Sequence, residues 1–446
     1  MKKIFLIAIL AIASTTNAQT LGYNDIGVLF SKEKINGTAR FNAMSGAFGA
    51  LGGDISAMEV NPAGAAVFMN SEFTTTLSLQ KIKTAASYYG NTMSSENDIT
   101  DITQTGGVFV FNTNGRNSNS SKVAFGFNYS IANDFENFWT AQGNSNYPTW
   151  IEDENDENIQ YLNSTGQYFE NLTNGKNSKY SFTLASEVNS NFYVGASINS
   201  FNIENFQKAL LEEYNDDGNG NNLDASLIQE LFTYGDGLSF SLGFISKPDD
   251  NIRLGLSYQS PVWYSLNEDY LDYDIEVYLS NTDQLITDYS GYNTYNYKLK
   301  TADKFTGSFA YIFESQGLIS VDYSYKNYGN IKLSNGNFTD ENQSFKNDLK
   351  SVGELRLGTE WRFDNISVRG GYHIEKSPYK DAISSDDVKG YSLGVGYKFR
   401  GVKLDFSYQN SSNTAPYSFY PQYNQVDAAE LDYNYDNFAL TLVLNI

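Results

Sequence analysis

Lys122-Val123-Ala124-Phe125-Gly126-Phe127-Asn128-Tyr129-Ser130-Ile131 is the stretch on which the fold turns. Val123, Phe125, Phe127, Tyr129 and Ile131 recur at every second position, and Ala124, Gly126, Asn128 and Ser130 fill the places between. A period of two sends the two sets to opposite faces of a strand. One face is therefore large and apolar, the other small and weakly polar. A secreted sandwich or solenoid would carry Lys, Glu and Thr on its water-facing side. Gly, Ala, Ser and Asn there instead leave space for something else to fill. The apolar face, Phe125 and Phe127 included, is predicted to meet lipid.

Working outward, the same alternation recurs in Leu238, Phe240, Leu242 and Phe244, in Leu355, Leu357, Thr359, Trp361 and Phe363, and in Tyr391, Leu393, Val395, Tyr397 and Phe399. The spacing predicts strands over 72–83, 104–112, 122–131, 179–189, 192–203, 237–247, 252–264, 303–313, 318–326, 353–363, 366–374, 389–400, 402–409 and 437–446, about fourteen in all. Their lengths bracket the ~9–11 residues that a tilted strand needs to cross hydrocarbon. Short connections such as 189–191, 248–251, 314–317, 364–365 and 400–401 are predicted to alternate with long ones over 132–178, 204–236, 265–302, 327–352 and 410–436. A barrel with one periplasmic and one external rim has this asymmetry. Phe438, Leu440, Leu442, Leu444 and Ile446 share one face of the last strand, as in the assembly signal of outer-membrane barrels, although Ile446 stands where Phe or Tyr is usual. The fold class predicted is all-β: a transmembrane antiparallel β-barrel of about fourteen strands with an N-terminal lumenal hatch.

The start of the chain agrees with export. Met1-Lys2-Lys3 is basic, 4–13 is unbroken apolar, and Thr16-Asn17-Ala18 offers a cleavage site, so 1–18 is expected to be a signal peptide. Its apolar run is too short to span a bilayer, which takes about 20 residues, and no later stretch is as apolar. With 30 Lys+Arg against 52 Asp+Glu, the net charge of −22 would repel polyphosphate, which excludes nucleic acid as a partner. There is no cysteine, so disulfides do not staple the fold and closure must come from backbone pairing. A mean hydropathy of −0.43 beside 34 Tyr and 30 Phe suits an apolar belt with aromatic girdles and wet loops.

Residues 40–67 lack the period of two. They run Arg40-Phe41-Asn42-Ala43-Met44-Ser45-Gly46-Ala47-Phe48-Gly49-Ala50-Leu51-Gly52-Gly53-Asp54, then on through Asn61-Pro62-Ala63-Gly64 to Val67. A fourteen-strand cylinder is wider than its own side chains fill, so 19–71 is expected to plug the barrel formed by 72–446. Here the sequence resembles the FadL family of outer-membrane transporters for long-chain fatty acids and other hydrophobic compounds. Arg40, the 47–54 small-residue run and Asn61-Pro62-Ala63-Gly64 carry the resemblance, supported by Ser260-Pro261-Val262-Trp263-Tyr264 and Arg369-Gly370-Gly371-Tyr372. It implies a monomeric barrel, with outer-membrane lipid around it, that passes a hydrophobic small molecule from the external loops to an internal site and out through a lateral opening, without ATP. By carry-over, Asn61, Pro62, Ala63 and Gly64 are the hatch motif, with Arg40 and Asp54 as its support. The ligand-contacting residues do not map.

Other constellations point away from chemistry. His373 is the only histidine, so triad, Cys-His and zinc sites are unavailable, and no enzyme activity, cofactor or metal is expected. Asn215, Asp217, Asn219 and Gly220 imitate a calcium loop, but Ser226 stands where its bidentate Glu should be. Glu152-Asp153-Glu154-Asn155-Asp156-Glu157 reads as a solvated loop, and Tyr88, Tyr89, Trp263 and Tyr264 as an interfacial girdle. The function expected is passive, hatch-gated transport of hydrophobic compounds, long-chain fatty acids first. The alternatives are a polar-solute porin and a barrel serving as secretion partner, adhesin or receptor.

Overall fold

Alternation carried around the whole chain closes it into one cylinder. The computed structural model describes residues 22–113, 121–153, 156 and 158–446; the expected signal peptide, 1–18, lies outside them, as do 154, 155 and 157 of the acidic stretch. Nineteen strand segments form one sheet. Several are pieces of an interrupted strand, and joined they make fourteen staves. These are β1 Glu72–Tyr88, β2 Asn91–Thr113, β3 Ser121–Asp134 with Asn137–Gly143, β4 Asn163–Asn189, β5 Phe192–Asp216, β6 Asn222–Ser246 and β7 Ile252–Gln259 with Trp263–Leu279. There follow β8 Gln284–Tyr289, Tyr292–Lys300 and Lys304–Phe313, β9 Gly317–Asn327 with Lys332–Ser334, β10 Ser351–Phe363, β11 Ile366–Glu375, β12 Val388–Lys398, β13 Val402–Tyr417 and β14 Ala429–Asn445. β1 pairs antiparallel with β2 on one side and with β14 on the other, in register from Glu72 opposite Asn445 to Ser87 opposite Glu430. Closure of β1 onto β14 removes the open edges of the sheet, the condition for a sheet in lipid.

The face assignment follows the alternation. Phe125 is 41% exposed on the outer wall and Asn128 1% exposed on the inner one. Ile131 departs from the pattern and is buried. The reason is a bulge: Ile131 pairs with Ser178 and Asn133 with Asn177, so Ala132 is an extra residue that turns the strand's faces over.

The outer rim differs from expectation. β5 has 25 residues and β6 25, so most of 204–236 is strand, closed by a turn at 217–221. β1 and β2, expected to end at 83 and begin at 104, run on to a hairpin at Tyr89 and Gly90, both at positive φ. The strict alternation of short and long connections therefore fails at this rim. Chemistry explains why: low on β5, Val194 and Ile198 point out and Ser197 and Asn199 in, whereas higher up Lys208 and Glu212 point out and Ala209 and Leu211 in. Period two persists, but the outer face now mixes polar and apolar residues, because the upper wall stands in water, while Ala209 and Leu211 join Tyr88, Trp139 and Phe169 in a cluster inside the mouth. For the same reason Tyr88 and Tyr264 are buried inside, and of the four expected girdle aromatics Trp263 is the one lying outward on the membrane wall, stacked on Phe240.

Candidate functional site

The N-terminal segment lies inside the cylinder. It contains α1 Tyr23–Ser31, α2 Ala39–Ala43, α3 Ala57–Val60 and a 3₁₀ turn Pro62–Val67. Pro62 opens that turn, where its missing N–H costs nothing, and Asn61 Oδ1 caps it by accepting from Ala63 N at 3.1 Å. Asn61 Nδ2 donates to the carbonyls of Gly49 (2.7 Å) and of Phe244 in β6 (3.0 Å), tying segment to wall. A Cβ at Gly243 would overlap Asn61 Oδ1, and one at Gly195 the Pro62 backbone. The glycines of the inner face are thus the space this segment occupies. Gly64 packs on Gly52, where a Cβ would lie 3.1 Å from the Gly52 Cα, with Ala63 buried beside it.

Arg40 and Asp54 bind in different directions. Arg40 Nε donates to Glu360 Oε2 of β10 at 2.7 Å and its Nη1 to the Gly53 carbonyl at 3.0 Å. Glu360 also takes Arg362 (2.6 Å) and Arg369 (2.7 Å), and Arg369 reaches on to Asp405 at 2.6 Å. Asp54 stays within the segment, accepting from Thr38 Oγ1 (2.9 Å) and Ser56 N (3.0 Å). Burial raises its pKa, against the lowering by Arg40 and Thr38. A second anchor, invisible in the sequence, is Glu33: it accepts from Lys179 at 3.2 Å, Lys304 at 3.2 Å and Gln259 at 3.0 Å. Burial alone would raise this carboxyl, but Lys179, Lys304 and Lys326 outweigh it and hold it well below the usual range. His373 sits against the segment, its Nδ1 3.5 Å from Ser45 Oγ. Asp217 spends its carboxylate on its own turn, accepting from the amides of Asn219 (2.7 Å) and Asn221 (3.0 Å).

Above this plug lies a cavity of about 1690 Å³. Val28 and Leu29 of α1 line it with Ile82, Ile131, Phe135, Tyr433 and Tyr435 of the wall. The wall is interrupted beside it. β3 pairs with β2 only as far as Ser130, and the plug takes over carbonyls beyond it: Lys34 N donates to Ala132 O at 2.9 Å and Asn36 Nδ2 to Ile131 O at 3.0 Å. At the mouth, the 418–428 connection folds inward. Phe419 stacks on Phe169 with centroids 4.0 Å apart, beside Trp139, and Tyr420 Oη donates to Glu213 at 2.7 Å. The aromatic pair Phe419-Tyr420 within a polar stretch was the available signal for this lid.

A family model described as outer membrane protein transport protein (OMPP1/FadL/TodX) matches residues 27–442, plug and barrel together. The chain belongs to this family. As an OMPP1/FadL/TodX protein it is a non-enzymatic transporter of hydrophobic compounds in the outer membrane of a Gram-negative bacterium. The fold is similar to that of a Pseudomonas aeruginosa FadL homologue, with TM-score 0.61 and 15% identity over 93% of this chain and 99% of that one. It is also similar to the P. putida toluene transporter TodX, with TM-score 0.57 and 12% identity over 93% and 99%, and to the CymD monoaromatic hydrocarbon channel, with TM-score 0.55 and 13% identity over the same shares. No curated protein matches the sequence.

Proposed function

We propose that this OMPP1/FadL/TodX protein takes up long-chain fatty acids, and that the 19–71 segment acts as a hatch. The observation that carries the reading is the conjunction of a part-apolar cavity with a break in the adjoining wall that is sealed by the hatch itself. Burial of each methylene contributes ~0.8 kcal/mol, so a chain of ten or more is extracted from dilute solution without an energy source. Lys34 and Asn36 hold β3 carbonyls beyond the end of its pairing with β2. Withdrawal of that strap opens a lateral route into the outer leaflet, at the level of the outward aromatic pair Tyr129–Tyr180. A polar-solute porin is disfavoured because the hatch fills the lumen below the cavity. A receptor or adhesin has no use for an internal cavity of this size.

Asn61 and Pro62 fix the hatch to β5 and β6, so the double replacement Asn61→Ala/Pro62→Ala tests gating. The expected result is a barrel inserted at normal yield with altered uptake of radiolabelled oleate in a strain lacking its own importer. Wild-type uptake in a correctly inserted variant makes the segment structural only.

A further inference from the structure

Three lysines stand together on the outer wall at the upper edge of the membrane belt. Lys298 and Lys300 are on β8 and Lys332 is on β9, with Lys300 directly opposite Lys332 and Lys298 opposite Ser334. The register fixes the side they face. Tyr297, Leu299 and Leu333 are buried in the cluster that holds Ile26, Val28 and Phe30 of α1, so the lysines, at the alternate positions, point outward and are exposed. Across the other edge of β8, Lys300 is opposite Trp263, the outward aromatic stacked on Phe240. Below the lysines the wall is aromatic: Tyr258 and Phe305 have their ring centroids 4.7 Å apart, and Tyr325 is exposed on β9. Trp and Tyr gather where hydrocarbon gives way to head groups. The three ammonium groups therefore stand at head-group height, on the side of the long external connections.

Nothing in the described chain neutralises them. None of the three takes part in a hydrogen bond or an ion pair among the described residues. Their outward neighbours Ser265, Asn267, Asn296 and Ser334 are uncharged. Asp269, the next carboxylate up β7, accepts from Thr294 Oγ1 at 2.8 Å, and Asp303, at the break in β8, lies beyond salt-bridge distance. Other outward lysines do have a carboxylate: Lys83 lies 3.7 Å from Glu96 and Lys208 3.3 Å from Glu230. Like charges directly opposite on paired strands repel. In a chain with 52 acidic residues against 30 basic ones, a cluster of unneutralised cations is the exception, and its counter-charge comes from outside the chain.

We propose that Lys298, Lys300 and Lys332 dock the phosphorylated head group of an outer-leaflet lipid, a glycolipid of the lipopolysaccharide class, whose acyl chains lie against Trp263, Tyr258 and Phe305. Charge and position choose this occupant. Phosphate esters are the anions held at that height, and the cluster runs on below into the lipid-facing wall. Lysine binds phosphate as a point charge, and each basic side chain beside an anionic leaflet adds to the attraction. Occupancy also offsets the repulsion between Lys300 and Lys332. The lipid then staples β8 to β9 where both are interrupted, β8 between Lys300 and Lys304 and β9 between Asn327 and Lys332.

The test measures binding of lipid A to the detergent-purified full barrel, with the bisphosphorylated and the dephosphorylated forms as paired probes in neutral micelles. Wild type is expected to prefer the bisphosphorylated form by about tenfold or more, and Lys298→Gln/Lys300→Gln/Lys332→Gln to lose that preference. Lys298→Arg/Lys300→Arg/Lys332→Arg keeps it. Lys83→Gln, which removes an outward lysine that has a carboxylate, leaves it unchanged. The heat-modification temperature is a second readout: in neutral detergent the charge-removing triple variant is at least as stable as wild type, because a repulsion is gone, and bisphosphorylated lipid A raises the temperature of wild type alone. Lys332→Gln serves if the triple variant fails to insert, with a smaller loss of preference expected. Equal affinity for the two lipids, a preference untouched in the triple variant, or the same loss in Lys83→Gln overturns the site. Inorganic phosphate binding as tightly as the lipid overturns it too, since the patch would then serve the free anion.

Discussion

Glu360 is the residue on which most charge converges. It is 1% exposed and gathers Arg40 from the hatch with Arg362 and Arg369 from the wall. Removing one partner of a buried ion network leaves the others uncompensated, which costs about 3–5 kcal/mol. Glu360→Ala is accordingly expected to lower the heat-modification temperature of the barrel, and an unchanged temperature would show the network to be neutral. Glu33 gives a pH prediction. A carboxyl held below its ordinary value, here 4.5, contributes stability that is present above that value and lost only as pH falls through the lowered one. Hatch amides should thus show equal protection, relative to their intrinsic exchange rates, at pH 7 and 5, and less at both in Glu33→Gln. Equal exchange in wild type and variant at both pH values would remove Glu33 from the anchors. Arg40 and Asn61 were singled out through the resemblance of the hatch motif to the FadL family. Their partners were not: Glu360 lies 320 positions from Arg40, inside an alternating strand where nothing marks it. Glu33 was equally silent, since a charged residue in a polar stretch reads as surface until the barrel is wrapped around it.

At the scale of single elements, β3 carries both the clearest sequence signal and its failure. Phe125 faces lipid, where Arg costs ~2–4 kcal/mol at the midplane, whereas Asn128 faces the lumen and donates to Glu59 of α3 and accepts from Gln104 of β2 at 2.8 Å. Phe125→Arg should sharply reduce folded barrel in the outer-membrane fraction, and Asn128→Ala should leave its yield near normal while loosening the hatch. Equal yields would mean that the faces are assigned wrongly. The alternation was readable up to Tyr129 and misled at Ile131, because a one-residue bulge leaves no mark in composition. The upper halves of β5 and β6 were missed for a different reason. Their period of two is intact, but polar and apolar residues share each face, so a search for an outward apolar face ends near Ser200 and reports a loop.

Taken whole, the molecule is a closed membrane barrel extended into water as a shaft, with an aromatic lid at the mouth, a cavity below it and the hatch beneath. Fold class, strand number and the presence of an internal filler could be read from the chain, since each follows from local periodicity and from the small residues of the inner face. The shaft, the lid and the wall break could not, because they arise from contacts between distant strands. The transport reading requires the hatch to move against this rigid wall. Ser45 of the hatch and Ser392 of β12 have their Oγ atoms 2.9 Å apart, and the chain has no cysteine of its own. Ser45→Cys/Ser392→Cys therefore offers a reversible lock. The direct measurement is the uptake rate of radiolabelled oleate in an importer-deficient strain expressing the wild-type or the locked barrel. Fast uptake by wild type and by the reduced variant, falling to the vector level on oxidation, is the predicted result; wild-type uptake no faster than vector, or full uptake through the oxidised variant, would contradict it.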